Sequence, residues 1–595
     1  MKHAVYITLS ELTGHLPTKE ELTALLKSMS ARTAAVVALR LNTIFRRCTG
    51  PDAADMFKFQ SWVAANYLDE KTRAQLIQKF GDVSPKARPL FHPLQLLYFS
   101  KLAITLGRDD AAAREENLDG YTSEFGKACL MINDLFCTPE ERVGFQIGSQ
   151  DEKSRELMVQ LLAGNELSNP TPIRQLFIRS FVTYSICLKD PVLIERIKKE
   201  CRGLDFERSF GSLFQTTVMG WVSMVAGLYF HLRDHSLEDF ISKPEVYIVN
   251  RKTCLANSFF DQSQIDSFFD SLSMTFDGFE QTMNSAIRPV DERLDLLPFK
   301  AKPFLQIASD VYTCFDPALL AEQLHTGPYF AIWERLPTKQ DRDAASSAWG
   351  LIFESYVQWL FSGIKQQLRG SLYFDTIWDG TEEKSFDAVL VRARVVVVFE
   401  FKSGLLTQEA RYSNDSTKFM DDLKNKIGKG CRQLARDTSA LLPLGGPARK
   451  LNGVALPSKV EFVIPVLIVQ DPMLRTPFIN YFLNNDFQEA RIPFPVKRGV
   501  EVLPLNVVHI TALEGLIEMV EQQDLDLVEI FFKRSRADAS MKLHLNDFLS
   551  QLPEMKVLRK SERFTALIRD SEAELTRLLT GKEPVGPTNQ ETLAP

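Results

Sequence analysis

Residues 395–402 of the chain read VVVVFEFK, a β-branched, apolar run that ends abruptly in charge. Such a composition predicts a buried strand. Alternate side chains of a strand share a face, so Glu400 and Lys402 are expected to point together while Phe401 points into packing on the other side. The stretch therefore predicts a strand of a covered sheet that holds a carboxylate and an ammonium side by side at its end.

The segments around this run predict alternating helices and strands. Upstream, an apolar helix over residues 344–368 precedes strands over 371–378 and 386–392. Downstream, the pattern predicts a helix over 416–442, a loop over 443–457, and strands over 460–469 and 500–510. We interpret residues 344–510 as one mixed α/β domain, followed by C-terminal helices over 511–580 and a disordered, proline-containing tail over 581–595.

The first 295 residues predict helices, because apolar residues recur at three- and four-residue steps. A capping signal, Thr18 followed by Glu21, precedes one of these segments. Residues 296–343 form a junction in which 303–314 predict a hairpin or two short strands, 318–324 a short helix and 328–333 a returning strand. The fold class is thus α+β and multidomain, with a mostly α-helical N-terminal region before the α/β domain.

Composition limits the possible partners. The 595 residues include 70 Lys plus Arg against 76 Asp plus Glu, a net charge of -6, so any contact with nucleic acid needs a local basic face. The eight cysteines form no CxxC pair, which indicates reduced core thiols rather than a zinc site. Residues 212–230 are uncharged, but polar residues recur in them, so we interpret them as a buried core helix. Residues 1–15 do not resemble a secretory signal, and we expect a soluble, cytoplasmic chain with no membrane partner.

Asp387 and Glu400 lie on neighbouring predicted strands with twelve residues between them, which suits a short hairpin that brings both carboxylates together. Mg²⁺ prefers oxygen ligands and keeps several waters, so two carboxylates and a carbonyl, such as that of Phe401, would suit it. Lys402 could hold an attacking water and stabilise developing charge. Asp375 and Asp379, on the preceding strand, compete with Asp387 for the first ligand position.

Two helices flank this group. Glu354 lies in WGLIFESYVQWLF (349–361) and could reach a metal through water or help hold a second ion; the alternative is a core acid bonded to backbone or a lysine. The later segment KNKIGKGCRQLAR (424–436) contains no acid. Its Lys426, Lys429 and Gln433 share a helical face, which together with Arg432 could contact phosphate oxygens or could simply be a solvated face.

The array of Glu354 in an apolar helix, Asp387 at a strand start, Glu400-Phe401-Lys402 at a strand end and Gln433 on the next helix resembles the PD-(D/E)XK nuclease superfamily. The resemblance covers roughly residues 345–510 and departs from the pattern in having Phe386 before Asp387 instead of proline. It implies a small mixed sheet flanked by helices. It further implies that Asp387 and Glu400 bind Mg²⁺, with Mn²⁺ as a substitute, while Lys402 assists the water and Glu354 and Gln433 act as helix-borne accessories.

Taken together, these observations predict a Mg²⁺-dependent nuclease that cuts nucleic acid, DNA rather than RNA. The helical region would recognise a protein partner, a substrate feature or another copy of the chain, as suits prokaryotic restriction, repair or anti-phage defence. One alternative is a catalytically inactive scaffold with a nuclease fold, and another is a nuclease that stays silent until triggered. The chain has no His-Glu-x-x-His, Gly-x-Ser-x-Gly or phosphate-binding P-loop motif, which disfavours three other classes of site.

Overall fold

The chain folds as a mixed α/β protein in a computed structural model. The structure describes residues 6–48, 53–81, 89–107, 123–136, 170–233, 235–285, 297–407, 410–411, 416–445, 448–476, 479–523, 525–537, 543–552 and 561–580. The tail that we predict to be disordered, residues 581–595, lies outside these ranges.

Helices make up most of the described residues. In chain order they are α1 Leu9–Thr13, α2 Lys19–Lys27, α3 Ala31–Cys48, α4 Ala53–Tyr67, α5 Glu70–Phe80, α6 Pro93–Leu106, α7 Ser123–Phe136, α8 Ile173–Phe181, α9 Pro191–Glu200, α10 Phe206–Phe214, α11 Val218–Arg233, α12 Leu237–Ser242, α13 Gln262–Leu272, α14 Phe276–Ser285, α15 Leu297–Ala301, α16 Pro317–Glu322, α17 Gly327–Arg335, α18 Lys339–Ser362, α19 Ser416–Asp422, α20 Gly428–Leu441, α21 Ile479–Arg491, α22 Ile510–Gln523, α23 Leu527–Arg536, α24 Leu545–Leu549 and α25 Glu562–Thr580. The capping box predicted at Thr18 and Glu21 starts α2.

The strands form two sheets. They are β1 Ile248–Asn250, β2 Ser273–Thr275, β3 Phe304–Ala308, β4 Val311–Cys314, β5 Ser371–Phe374, β6 Ala388–Arg392, β7 Val395–Lys402, β8 Phe462–Val469, β9 Glu501–Val502 and β10 Asn506–His509. The larger sheet has six strands in the order β10-β8-β7-β6-β5, with β9 also paired to β8. Strands β5, β6 and β7 are antiparallel, whereas β8 runs parallel to β7, β9 and β10.

Strand β7 lies at the centre of this sheet and is covered on both faces, as its composition predicts. Val397, Phe399 and Phe401 belong to one hydrophobic core, and the Phe399 ring lies 5.4 Å from that of Phe361 on α18. Val396 and Val398 pack on the other face, in a core that includes side chains of α20 and α21. Because side chains alternate along a strand, Glu400 and Lys402 share this second face with Val398, at the carboxyl end of β7.

The second sheet has the order β1-β4-β3-β2. The hairpin predicted over residues 303–314 is confirmed as β3 and β4, which pair antiparallel. The strands β1 and β2 interrupt the region predicted as helical. The strand predicted over residues 328–333 is wrong: these residues lie in α17, where Pro328 occupies the first turn, a position that suits proline because it needs no N–H donor there.

The hydrophobic cores cross the predicted domain boundary at residue 295. The largest core includes Leu176 on α8 and Trp221 on α11 together with Phe399 on β7 and Phe531 on α23. A separate core holds the helices from α1 to α7. Helices α8 to α11 and α13 therefore share a core with the larger sheet.

Residues 212–230 are not a single helix. The chain breaks between α10 and α11 at Gln215, whose φ is 58°. Of the helices in the described ranges, none alone has both the length and the apolar character to cross a bilayer; α10 and α11 meet that test only as a pair, bent by 59°. Most of the α11 side chains are buried inside the protein.

Three histidines, His92, His325 and His509, are buried in the fold, and His544 is half-buried. His92 caps the start of α6, with its Nε2 3.1 Å from the Asn133 side-chain oxygen. Burial lowers the pKa of His92 to about 3, although the bond to Asn133 opposes that shift. Burial also lowers the pKa of His325, His509 and His544. The folded chain thus holds these rings neutral at pH values where an unfolded chain would protonate them.

We therefore expect the free energy of unfolding to decrease as pH falls below about 6.5, the ordinary pKa of histidine. Below that pH the unfolded state binds a proton at each ring, while folded His92 does so only near pH 3. Each such histidine then removes about 1.4 kcal/mol of stability per pH unit across this window. Urea unfolding measures the free energy of unfolding of the wild type and of His92→Gln at neutral pH and at about pH 5. The difference between the two proteins should be smaller at pH 5 by about 2 kcal/mol. A gap that does not change with pH would contradict this assignment.

Candidate active site

Asp387, just before β6, lies next to the end of β7, which carries Glu400. The Asp387 N–H donates to the carbonyl of Phe399 at 3.1 Å, continuing the β6–β7 ladder. One oxygen of the Asp387 carboxylate, Oδ2, accepts the Phe401 N–H at 2.6 Å. The Asp387 carboxylate is therefore fixed at the strand end that carries Glu400 and Lys402.

Glu400 and Lys402 are in direct contact, as the alternation along β7 predicts. The Lys402 ammonium donates a short hydrogen bond to Glu400 Oε1 and lies 3.5 Å from Gln433 Oε1 on α20. The Gln433 amide in turn donates to the carbonyl of Ser385 at 3.3 Å. Gln433 thus connects the lysine to the segment just before Asp387, which orients the ammonium.

Gly430 allows α20 to approach Lys402 this closely. A Cβ atom at position 430 would lie 3.0 Å from Lys402 Cε and 2.8 Å from Leu467 Cδ1. Both separations are shorter than normal packing contacts, so a larger residue would displace the lysine or the helix. The absence of a side chain at Gly430 therefore helps to fix where the Lys402 stem runs.

The two carboxyl groups are electrostatically strained in the absence of a cation. Burial, followed by the charge of Glu354, raises the pKa of Asp387 to about 7. Burial, followed by the charge of Asp387, raises the pKa of Glu400 to about 8. Burial opposes the charge on Lys402, but the Glu400 carboxylate outweighs this effect and the lysine pKa is raised. Two acids that disfavour each other's charge in one enclosed place would both gain from a shared cation.

The donor set is compatible with a hard cation that keeps several waters. Glu400 is 2% exposed, and its Oε2 atom is buried without a hydrogen-bond partner. Across the described ranges, no group of three or more His, Cys, Asp or Glu side chains is arranged to hold a metal. A cation here would be held by Asp387 and Glu400, with the remaining positions left to main-chain oxygen, such as the Phe401 carbonyl, and to water, as Mg²⁺ tolerates.

Glu354 is engaged by two basic side chains instead of joining that pair. Its Oε2 lies 3.2 Å from an Arg196 nitrogen and 3.6 Å from Lys384 Nζ. It is close enough to raise the pKa of Asp387, so it borders the site. The contacts of Glu354 therefore match the alternative interpretation, in which it is an acid paired with a basic residue.

The side chains of the competing aspartates have other partners, although the Asp375 N–H donates to the Asp387 carbonyl at 2.9 Å. Asp375 accepts a 2.8 Å hydrogen bond from Gln358 and lies 3.5 Å from Arg196. The Asp379 N–H donates to the carbonyl of Lys450 in a turn beyond β5. Only Asp387 of the three is bonded to the end of β7.

The basic segment over residues 424–436 is not a continuous α-helix. Residues Leu423–Ile427 form a π-helical turn before α20 begins. Lys426 is turned back, donating to the carbonyl of Leu405 at 2.7 Å and lying 3.4 Å from Asp422. Arg432 bonds the carbonyl of Lys424 at 3.2 Å, whereas Lys429 is exposed. Of the predicted phosphate contacts, Lys426 therefore has its charge already engaged.

Arg196 and Lys384 were not anticipated from the sequence. Arg196 lies on α9, 158 residues before Glu354, and nothing in its neighbourhood marks it as more than a surface residue of a helix. Lys384 stands three residues before Asp387, and that proximity is the only signal that could have identified it. The helical region thus supplies a cation at the edge of the candidate site.

Comparison of the chain with family models, with curated proteins and with solved structures gave no match in any of the three. The resemblance to PD-(D/E)XK nucleases therefore stays a prediction from the sequence. The chemistry open to the site follows from its geometry: a pair of buried carboxylates, an oriented ammonium and a border of further basic groups.

Proposed function

We propose that the chain is a Mg²⁺-dependent nuclease whose residues 344–510 form a domain of the PD-(D/E)XK type. The observation that carries the proposal is the meeting of Asp387, Glu400 and Lys402 at one end of β6 and β7, with a buried Glu400 oxygen that lacks a partner. A buried carboxylate is costly unless it is paired or binds a cation. A carboxylate pair beside one ammonium is suited to phosphodiester hydrolysis, which needs positive charge where negative charge develops.

Each residue has a defined part in this proposal. The Asp387 and Glu400 carboxylates bind the ion, and the chemistry supplied by Mg²⁺ in such a site is polarisation of the phosphate and of an attacking water. The Phe401 N–H holds Asp387 in place through its 2.6 Å bond. Lys402 holds the attacking water and stabilises charge on the phosphate oxygens, and Gln433 orients the lysine.

Glu354, Arg196 and Lys384 form the border of the site. The two cations offset the charge of Glu354 beside Asp387, at separations of 3.2 Å and 3.6 Å. Glu354 would contact the ion through water, with its Oε2 held by these two groups. Both cations also lie near Asp375, at 3.5 Å and 3.8 Å, so their charge is shared between two acids at the border of the site.

DNA is the substrate that we favour, and the helical region is the part proposed to recognise a partner, a substrate feature or a second copy. We also propose that the chain acts in restriction, repair or anti-phage defence. The alternative, a scaffold with an inactive nuclease fold, predicts binding without cutting.

A cleavage assay tests the proposal. Purified chain is incubated with supercoiled plasmid, linear duplex, single-stranded DNA and RNA, each in Mg²⁺, Mn²⁺ and a chelator. We expect metal-dependent cutting, lost on chelation, and a decrease of about 1000-fold or more in Asp387→Asn, because the amide removes a charged ligand. The Mn²⁺ affinity, measured by calorimetry, should fall in the same variant.

The matched control is Asp570→Asn, an exposed aspartate on α25 whose only ion pair in the described ranges is with its neighbour Arg569. It should cut at the wild-type rate. Cutting that persists in chelator, or that Asp387→Asn leaves unchanged, would exclude this site as the catalyst. Metal binding without cutting of any substrate would favour the scaffold or a nuclease that needs a trigger.

A further inference from the structure

A basic groove leads away from the candidate site along α20. Beside Gln433, a cleft of about 460 Å³ is lined by Lys429, Arg432 and Arg436 on α20 and by Phe494 after α21. Gln433, which lines this cleft, also lies 3.5 Å from the Lys402 ammonium, so the cleft is next to the residues that we assign to catalysis. Its charged lining side chains are all basic.

The same two segments line a second cleft farther along. Residues after α21 pair with the end of α20 and the chain that follows it: Pro443 bridges Val496, and the Lys497 N–H donates to the carbonyl of Leu442 at 2.8 Å. Beyond this pairing, a cleft of about 550 Å³ is lined by Arg449, Lys450, Lys497 and Arg498. Both clefts are in the size range of ligand sites, about 300–1,000 Å³.

Several of these charges are unsatisfied. Among the described residues, no ion pair engages Lys429, Lys450, Lys497 or Arg498, and all four are exposed. Of the residues that the structure describes around the two clefts, Asp379 is the only acid in their lining. The chain as a whole has a net charge of -6, so these four exposed cations are a local exception. A surface of this kind is complementary to a polyanion.

Exposed apolar side chains lie on the same two segments as these charges, and one of them, Phe494, lines the first cleft. Leu444 is 50% exposed, Ile492 79% and Phe494 37%, and all three lie on the two segments that pair along the groove. Exposed apolar groups beside cations are what unpaired bases need, because bases can stack on a side chain only when they are not buried in a duplex. A duplex would present phosphates to the groove and leave these three side chains without partners.

We propose that this groove, which we call the α20 groove, binds an unpaired strand of nucleic acid whose backbone runs from the catalytic residues toward Lys497 and Arg498. The inference rests on the proposed nuclease function and specifies its substrate class: nucleic acid with a single-stranded segment beside the cut position. From Gln433 to Leu441, α20 rises about 12 Å, at about 1.5 Å per residue. The groove is thus long enough for at least about three nucleotides at about 3.4 Å each.

The test measures binding in chelator, so that no cutting is possible. Anisotropy of labelled single-stranded DNA, single-stranded RNA and duplex DNA of about 10 nucleotides or base pairs is recorded over a range of salt. We expect the wild type to bind the single strands more tightly than the duplex. Lys497→Glu/Arg498→Glu should weaken single-strand binding by 10-fold or more and reduce the slope of log K against log salt by about 1.4, because each lost phosphate contact removes about 0.7.

Phe494→Ala tests the stacking contact separately. It should weaken single-strand binding by about 5- to 100-fold with little change in the salt slope, since stacking releases no counterions. The matched control is Lys27→Glu/Lys71→Glu, which makes the same change in net charge at two exposed lysines of the helical region. Its single-strand binding should follow the wild type, and circular dichroism checks that every variant is folded.

Each part of the proposal for the α20 groove has its own contradicting result. Tighter binding of duplex than of single strand, or no effect of Phe494→Ala, would exclude an unpaired strand in the groove. An equal loss in the charge-reversal variant and its control would exclude the groove as the binding surface. Failure of the cleavage assay with these binding results intact would leave the α20 groove as a strand-binding surface and would favour the scaffold or a nuclease that needs a trigger. A preference between DNA and RNA identifies the sugar and supports the groove in either case.

Discussion

Lys402→Met should lower the rate of phosphodiester cleavage by about 100- to 1000-fold, the usual cost of removing one preorganised charge from a transition state. The lysine ammonium is the cation in contact with Glu400 and within 3.5 Å of Gln433, so it is already held where an attacking water and a phosphate oxygen would meet. Methionine keeps the apolar stem and removes only the charge. Single-turnover rates at saturating Mg²⁺ measure this loss without contributions from product release.

Lys402→Arg should not restore the rate. A guanidinium is broader than an ammonium, and α20 passes close to the lysine stem, since a Cβ on Gly430 would lie only 3.0 Å from Lys402 Cε. Lys533→Met is the control, because that lysine is exposed on α23 and pairs with Glu529 one turn away. It should cut at the wild-type rate. Full activity in Lys402→Met would remove the lysine from the proposed mechanism, whatever the role of the carboxylates.

The sequence predicted the central strand well because its signal is local. The run over 395–402 begins with four consecutive valines, and its alternation places Glu400 and Lys402 on one face wherever the strand packs. The strand predicted over 328–333 failed for the opposite reason. A six-residue apolar run fits a strand or a buried helix equally well, and here the proline in the first turn and the packing of α17 on α18 decide for helix.

Contacts between segments far apart in the chain could not be predicted from the sequence. Arg196 meets Glu354 across 158 residues, and no spacing rule relates a residue of α9 to one of α18. The π-helical turn at Leu423–Ile427 also escaped prediction, because its composition is that of an ordinary helix, and it turns Lys426 back toward the Leu405 carbonyl. A three-residue strand such as β1 carries too few residues for a periodic signal, so it forms only because β4 offers it a partner.

A buried polar network joins the helical region to the helix that carries Glu354. Arg179 on α8 donates to both oxygens of Glu514 on α22, at 2.7 Å and 3.0 Å, and to the Thr511 hydroxyl at 3.0 Å. Tyr356, two residues after Glu354 on α18, donates to Glu514 at 2.7 Å. The Arg179 and Glu514 side chains are each only 4% exposed, so without its partner either would be a buried, uncompensated charge.

Glu514→Gln should therefore reduce the free energy of unfolding by about 3–5 kcal/mol, because it leaves the Arg179 charge buried and uncompensated. The double variant Arg179→Met/Glu514→Met should recover much of that loss, since removing both charges also removes the cost of burying them. Glu518→Gln, one turn along α22, breaks a more exposed pair with Arg174 and should cost no more than about 1 kcal/mol. Urea unfolding followed by tryptophan fluorescence measures all three. Equal losses at positions 514 and 518 would mean that burial of this pair does not govern its energy, and that the helical region is held to α18 by apolar packing alone.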